Sequence, residues 1–142
     1  MQEFIILDVM KQLIITTAIL LGFFSAGAQP KAKTFKDGDF EMKQYYFVML
    51  TKGARRGEIT DTAKINQIQR GHLANIDRLA KEGKILVAGP FGDDGNWRGI
   101  FIFDAESEAE VKQLLETDPA IAAGRLAYEA HPWWTAKNSV FK

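Results

Sequence analysis

Two histidines, His72 and His131, are the side chains of this 142-residue chain best suited to moving a proton near neutral pH. His72 falls in an apolar stripe made by Ile65, Ile68, His72, Ile76 and Leu79. Steps of three and four residues place these positions on one face of a helix, the face turned to the core. A histidine there is either a core residue with one hydrogen bond or a general acid or base held in a half-apolar cleft. Asp118 stands directly before Pro119, the pattern of a helix N-cap followed by proline at the first helical position. Such a carboxylate accepts backbone N–H groups and is fixed in place, so it can also orient an imidazole beside it. His131 precedes Pro132-Trp133-Trp134 and reads as a structural or cleft-lining group. Trp97, Trp133 and Trp134 are candidate aromatic walls for a ligand. Arg55, Arg56 and Arg70 are cations open to an anionic substrate or to solvent.

Other chemistries are poorly served. There is no cysteine, which removes disulfides, thiolate nucleophiles and Cys-ligated metals. His72, His131 and a carboxylate have the donor types of a metal site but no ligand spacing, so no metal is expected. Gly89, Gly92 and Gly95 precede a strand rather than a helix and make no phosphate cradle. Formal net charge is zero, so nucleic-acid binding lacks its electrostatic footprint. No cofactor is expected.

The elements that must hold these groups follow from periodicity. Tyr45 to Leu50 is a β-rich apolar run, followed by a polar loop from Lys52 to Glu58. Thr60 or Asp61 caps a helix that runs to about Glu82, where Gly83 stops it. Lys84 to Phe91 and Trp97 to Phe103 are strands joined by a short turn, hence a hairpin. Ser107 and Glu110 form a capping box for a second helix through about Glu116. Asp118-Pro119 starts a further helical turn that Gly124 ends, and Arg125 to His131 is the last strand. The order βαββαβ predicts an α+β, ferredoxin-like domain with both helices on one sheet face.

That arrangement leaves the second face to be covered. Strand alternation puts Trp97, Phe101 and Phe103 on one side and Ile100 and Ile102 on the other. Tyr45 to Leu50 is apolar on both sides. A large bare apolar face marks an interface, and a second copy related by a two-fold axis is the simplest cover. A homodimer, forming a dimeric α+β barrel, is therefore expected.

The first 28 residues read as a signal peptide: Lys11, then the apolar run Leu13 to Phe24, then Ala26-Gly27-Ala28. Acidic Glu3 and Asp8 fit this poorly, so Met10 is the better start and export to periplasm or medium is expected. The apolar run is short for a membrane span, and no stable span is expected after cleavage. Removing residues 1–28 takes away Lys11, Glu3 and Asp8, leaving 17 bases against 16 acids, a charge of +1. Residues 29–43 read as a flexible lead-in, 44–134 as the domain and 135–142 as a tail.

At its motif positions the chain resembles the YCII-related (YciI-like) family. The pieces are His72-Leu73, then Glu82-Gly83-Lys84-Ile85-Leu86-Val87-Ala88-Gly89-Pro90, then Asp118-Pro119-Ala120-Ile121-Ala122-Ala123-Gly124, then Pro132-Trp133. The resemblance implies a dimeric ferredoxin-like barrel and an active site of His72 and Asp118. The chain departs from the family pattern where Gln69 replaces an arginine three residues before the histidine, in His131 with the Trp133-Trp134 pair, and in the apparent signal peptide. Two functions compete. One is proton transfer by the dyad on a small cyclic or carbonyl substrate, in lyase, isomerase or dehydrohalogenase chemistry, with Trp97, His131, Trp133, Trp134 and Arg70 binding the substrate. The other is a non-catalytic ligand-binding or structural module in which the dyad is a buried polar staple.

Overall fold

The computed structural model describes residues 33–139. The expected signal peptide, the alternative start at Met10 and the end of the tail lie outside the described residues. Among the described residues five strands and three helices follow one another: β1 (Thr34–Asp37), β2 (Phe40–Lys52), α1 (Thr62–Lys81), β3 (Ile85–Pro90), β4 (Trp97–Phe103), α2 (Glu108–Glu116), α3 (Pro119–Ala122) and β5 (Leu126–Ala136). The main sheet runs β5–β2–β4–β3, all pairs antiparallel. This is the strand order of a ferredoxin-like α+β domain, and the fold agrees with the expected βαββαβ order.

The helix ends form where the cap residues predict. Asp61 accepts the Lys64 N–H at 3.0 Å, and Gly83 at φ 72° turns the chain away beyond Glu82. Ser107 Oγ accepts the Glu110 N–H at 3.1 Å, while the Glu110 carboxylate reaches back to the Glu106 N–H at 2.8 Å. The reciprocal bond thus lands one residue earlier than in the standard capping box.

Two strands exceed their sequence-based bounds. The expected lead-in contains β1, which folds back on the start of β2 through a two-residue turn led by Gly38 at φ 56°. Met42 and Lys43 pair with β1 on one side and with β5 on the other, so β1 and β4 share one edge of β2. β5 continues past His131 to Ala136. Pro132 is tolerated inside it because β5 is an outer strand, where a missing N–H need not cost a ladder bond.

The core lies between the sheet and the helices. Tyr46, Val48 and Leu50 of β2, Ile85 of β3, and Phe101 and Phe103 of β4 pack against Leu79 of α1 and Val111 and Leu115 of α2. Truncating a fully buried ring such as Phe103 to alanine costs about 3–5 kcal/mol. The opposite face carries Phe47 and Met49, paired with Ile102 and Ile100. A register shift between Leu50 and Thr51 sets Trp97 opposite Thr51. That shift breaks the simple alternation that would align Trp97 with Phe101 and Phe103, and Trp97 lies exposed against Phe91 instead.

Candidate active site in the cleft beneath the first helix

α1 turns Ile68, His72 and Leu79 inward. Next to the histidine is Gly71, a residue that costs about 1 kcal/mol in a helix relative to alanine. Its position explains the cost: a Cβ there would stand 2.9 Å from Pro119 Cγ. The missing side chain lets α3 seat directly against α1. α3 opens with Asp118, whose Oδ1 accepts the Ala120 N–H at 2.8 Å. Oδ2 is left for His72, and the Nδ1 to Oδ2 distance is 2.6 Å. One residue is thus both helix cap and histidine partner. A second link ties the same junction, since Arg78 Nη2 donates to Asn75 Oδ1 at 2.8 Å and to Thr117 Oγ1 at 3.0 Å.

Asp118 is 1% exposed and His72 is 9% exposed. The carboxylate is therefore sealed behind the ring, and only the imidazole reaches the cleft. A carboxylate can only accept, so Nδ1–H is the donor and Nε2 is the nitrogen left for other chemistry. His72 lines a cavity of about 340 Å³ bounded by α1, the β3–β4 hairpin, the α3–β5 corner and the loop after β2. Gln69, Leu73 and Ile76 join it from α1, and Phe101 forms part of the floor, its ring centroid 6.3 Å from that of His72. The cavity size suits a small molecule.

Three arginines line the same cavity: Arg56 on the loop, Arg98 on β4 and Arg125 before β5. Arg98 Nη1 bonds Asp94 Oδ1 at 2.9 Å, and Arg125 Nη1 donates to the Ile59 carbonyl at 3.1 Å. Burial, then the like charges of Arg125 and Arg98, draw the Arg56 pKa below its ordinary value, with Asp94 pulling the other way.

The structure joins His72 and Asp118 and leaves the expected substrate-binding residues elsewhere. Trp97, His131, Trp133, Trp134 and Arg70 are absent from the cavity lining. His131 pairs with Phe47 across the β5–β2 ladder and so faces away from the helices, 3.9 Å from Glu129. Trp133 pairs with Tyr45 on that same side. Trp134 packs its ring 5.0 Å from that of Phe35 on β1, and Arg70 is exposed on the outside of α1. His72 and His131 lie on opposite sides of the sheet, and no cluster of three metal-ligating side chains occurs among the described residues. None of the described helices is long and apolar enough to cross a membrane. Sequence reasoning missed Arg98 and Arg125, which belong to no spaced motif. Arg56 was marked with Arg55 and Arg70 as a cation open to an anionic substrate or to solvent, and of the three only Arg56 lines the cavity.

Comparison with known proteins bears on the same span. Residues 46–133 match the model of the YCII-related domain. Uncharacterized protein YjpA of Bacillus subtilis (strain 168) is 30% identical over 90 residues, covering 63% of this chain and 94% of that protein. The solved structure of 5-chloro-2-hydroxyhydroquinone dehydrochlorinase (TftG) from Burkholderia phenoliruptrix AC1100, in complex with 2,5-dihydroxybenzoquinone, is 26% identical, with a TM-score of 0.46. That likeness covers 62% of this chain and 92% of the other.

Proposed function

The chain belongs to the YCII-related domain family, and on that premise we propose that it is a small-molecule enzyme in which His72 transfers a proton. The observation that carries the reading is the 2.6 Å contact between a sealed Asp118 and a histidine that opens on a cavity. Asp118 fixes the ring and its tautomer. Nε2 then takes a proton from a substrate carbon or hydroxyl. It returns the proton to another substrate atom in an isomerase step, or passes it to solvent while halide or another leaving group departs in a lyase or dehydrohalogenase step on a cyclic or carbonyl compound. Positioned general acid–base catalysis contributes about 10²–10⁴-fold to rate. The apolar floor around Phe101 strengthens the interaction between ring and carboxylate by excluding water.

A second reading has its own support. Both Asp118 oxygens are engaged within the protein, which is what a staple between α1 and α3 requires. The two are separated by deuterium exchange, followed by NMR, on a panel of small cyclic ketones and quinols in D₂O. The enzyme reading expects exchange beside the carbonyl, reduced about 100-fold or more in His72→Gln while the fold is retained. Exchange that survives His72→Gln, or a variant that merely loses stability with no ligand or exchange effect, leaves the staple.

The open sheet face belongs to the same proposal. Phe47, Met49 and Ile100, each half-buried, lie on an apolar sheet face that a second copy would cover, giving a dimeric α+β barrel.

A further inference from the structure

The chain as a whole is electrically neutral, yet the lining of its cavity holds three arginines and no aspartate or glutamate. Like charges do not gather in a half-buried cleft without cost. Two of the three are held there by bonds that use one nitrogen each. Arg125 donates through Nη1 to the carbonyls of Ile59 and Arg56, at 3.1 and 3.4 Å. Arg98 donates through Nη1 to Asp94 and to the carbonyls of Asp93 and Gly95. Arg56 makes no side-chain hydrogen bond among the described residues, although its neighbours repel it. No buried side-chain nitrogen or oxygen lacks a partner among the described residues, so the remaining guanidinium donors stay accessible.

We propose that Arg56, Arg98 and Arg125 form an anion subsite that binds a carboxylate or phenolate oxygen of an organic substrate while His72 acts on the remainder. This names the substrate class for the cleft, and it rests on the reading of that cleft as a substrate site. Guanidinium groups are suited to the task because planar paired donors match a carboxylate and stay charged at any working pH. The guanidinium groups that hold this oxygen would also stabilise the negative charge that develops when a proton leaves a neighbouring carbon. The apolar wall of Leu73, Ile76 and Phe101 takes the ring or chain that carries the anion.

The test is NMR titration of residues 29–142 with benzoate, benzamide and inorganic phosphate, in wild type, Arg56→Met and His72→Gln. Arg56 is chosen because its side chain makes no hydrogen bond among the described residues. Benzoate is expected to bind about tenfold or more tightly than isosteric benzamide, with shifts at the arginine loop and weakening as salt rises. Arg56→Met is expected to erase that preference, and His72→Gln to keep benzoate affinity within about threefold. Equal binding of benzoate and benzamide, or a preference that survives Arg56→Met, overturns the subsite. So does phosphate binding at the arginines with benzoate excluded, since the site would then serve an inorganic oxyanion. A preference retained in His72→Gln without any proton exchange by wild type would keep the subsite and remove the proton-transfer reading, so the two failures are distinguishable.

Discussion

Nδ1 of His72 and Oδ2 of Asp118 lie 2.6 Å apart although 46 residues separate them in the chain, and Asp118 simultaneously caps α3. Cap and ring orientation can be separated by substitution. Asn is as good an N-cap as Asp, so Asp118→Asn should stay within about 1 kcal/mol of wild-type stability. Its amide cannot hold the same tautomer, so proton exchange should fall about 10²-fold or more. Asp118→Ala loses the cap and leaves His72 without its buried partner, at about 2–3 kcal/mol. Urea denaturation and exchange rates on the two variants check both halves.

Gly71→Ala should be destabilising although alanine is the better helix former. The propensity gain is about 1 kcal/mol. The new Cβ would meet Pro119 Cγ at 2.9 Å, and overpacking of this kind costs about 1–3 kcal/mol. Moving α3 also lengthens the His72–Asp118 bond. The expected result is a lower denaturation midpoint together with an upfield shift of the His72 Nδ1 proton in NMR spectra.

The Lys84–Glu110 pair, 2.6 Å apart, gives a signed pH dependence. Burial alone would raise the Glu110 pKa, but the hydrogen bonds from Lys84 and the Glu106 N–H outweigh it and hold the group below its ordinary 4.5. A depressed carboxylate stabilises the fold above its ordinary pKa, and that contribution is lost as pH falls from about 4.5 through the folded value. The hydrogen bond to Glu110 raises the Lys84 pKa, so its share is present below 10.5 and fades as pH rises through the folded value. Both side chains are partly exposed, so Glu110→Gln should cost only about 0.5 kcal/mol at neutral pH. Its loss of stability on acidification toward pH 3 should be correspondingly shallower, as chemical denaturation at several pH values would show.

Residues 29–142 should sediment as a dimer in analytical ultracentrifugation. A lysine on the open sheet face at Phe47 or Ile100 should give a monomer while leaving the helix-side core intact, because a buried unpaired charge opposes association by several kcal/mol. A monomeric wild type would sink the dimeric-barrel proposal.

Much of the frame was legible because local chemistry and tertiary structure agree. Asp61, Gly83, Ser107 and Asp118 each act at the helix end their residue types announce. The inward turn of His72 followed from its stripe of isoleucines and leucine. β1 was hidden because Thr34-Phe35-Lys36-Asp37 holds a single apolar residue and so no alternation, and it forms only because β2 offers an edge. The five candidate substrate residues lie outside the cavity lining for a related reason. Side-chain type marked them, but the β5–β2 register and the shift beside Leu50 decide which side of the sheet the histidine and tryptophans meet, and helical phase turns Arg70 outward. The arginines came from three distant segments whose convergence no local spacing encodes.

Gly53 and Gly124 set a rule for anyone seeking to change what the cleft accepts. A Cβ on Gly53 would stand 2.3 Å from the Gly124 carbonyl oxygen, and two backbone bonds, Gly53 to Arg125 and Arg55 to Gly124, lock the segments together. The loop bearing Arg56 and the corner bearing Arg125 are therefore a single graftable module rather than two independent ones. A library that randomises residues 54–58 inherits a working scaffold only if both glycines stay fixed. A loop transplanted from a relative must bring its matching corner along.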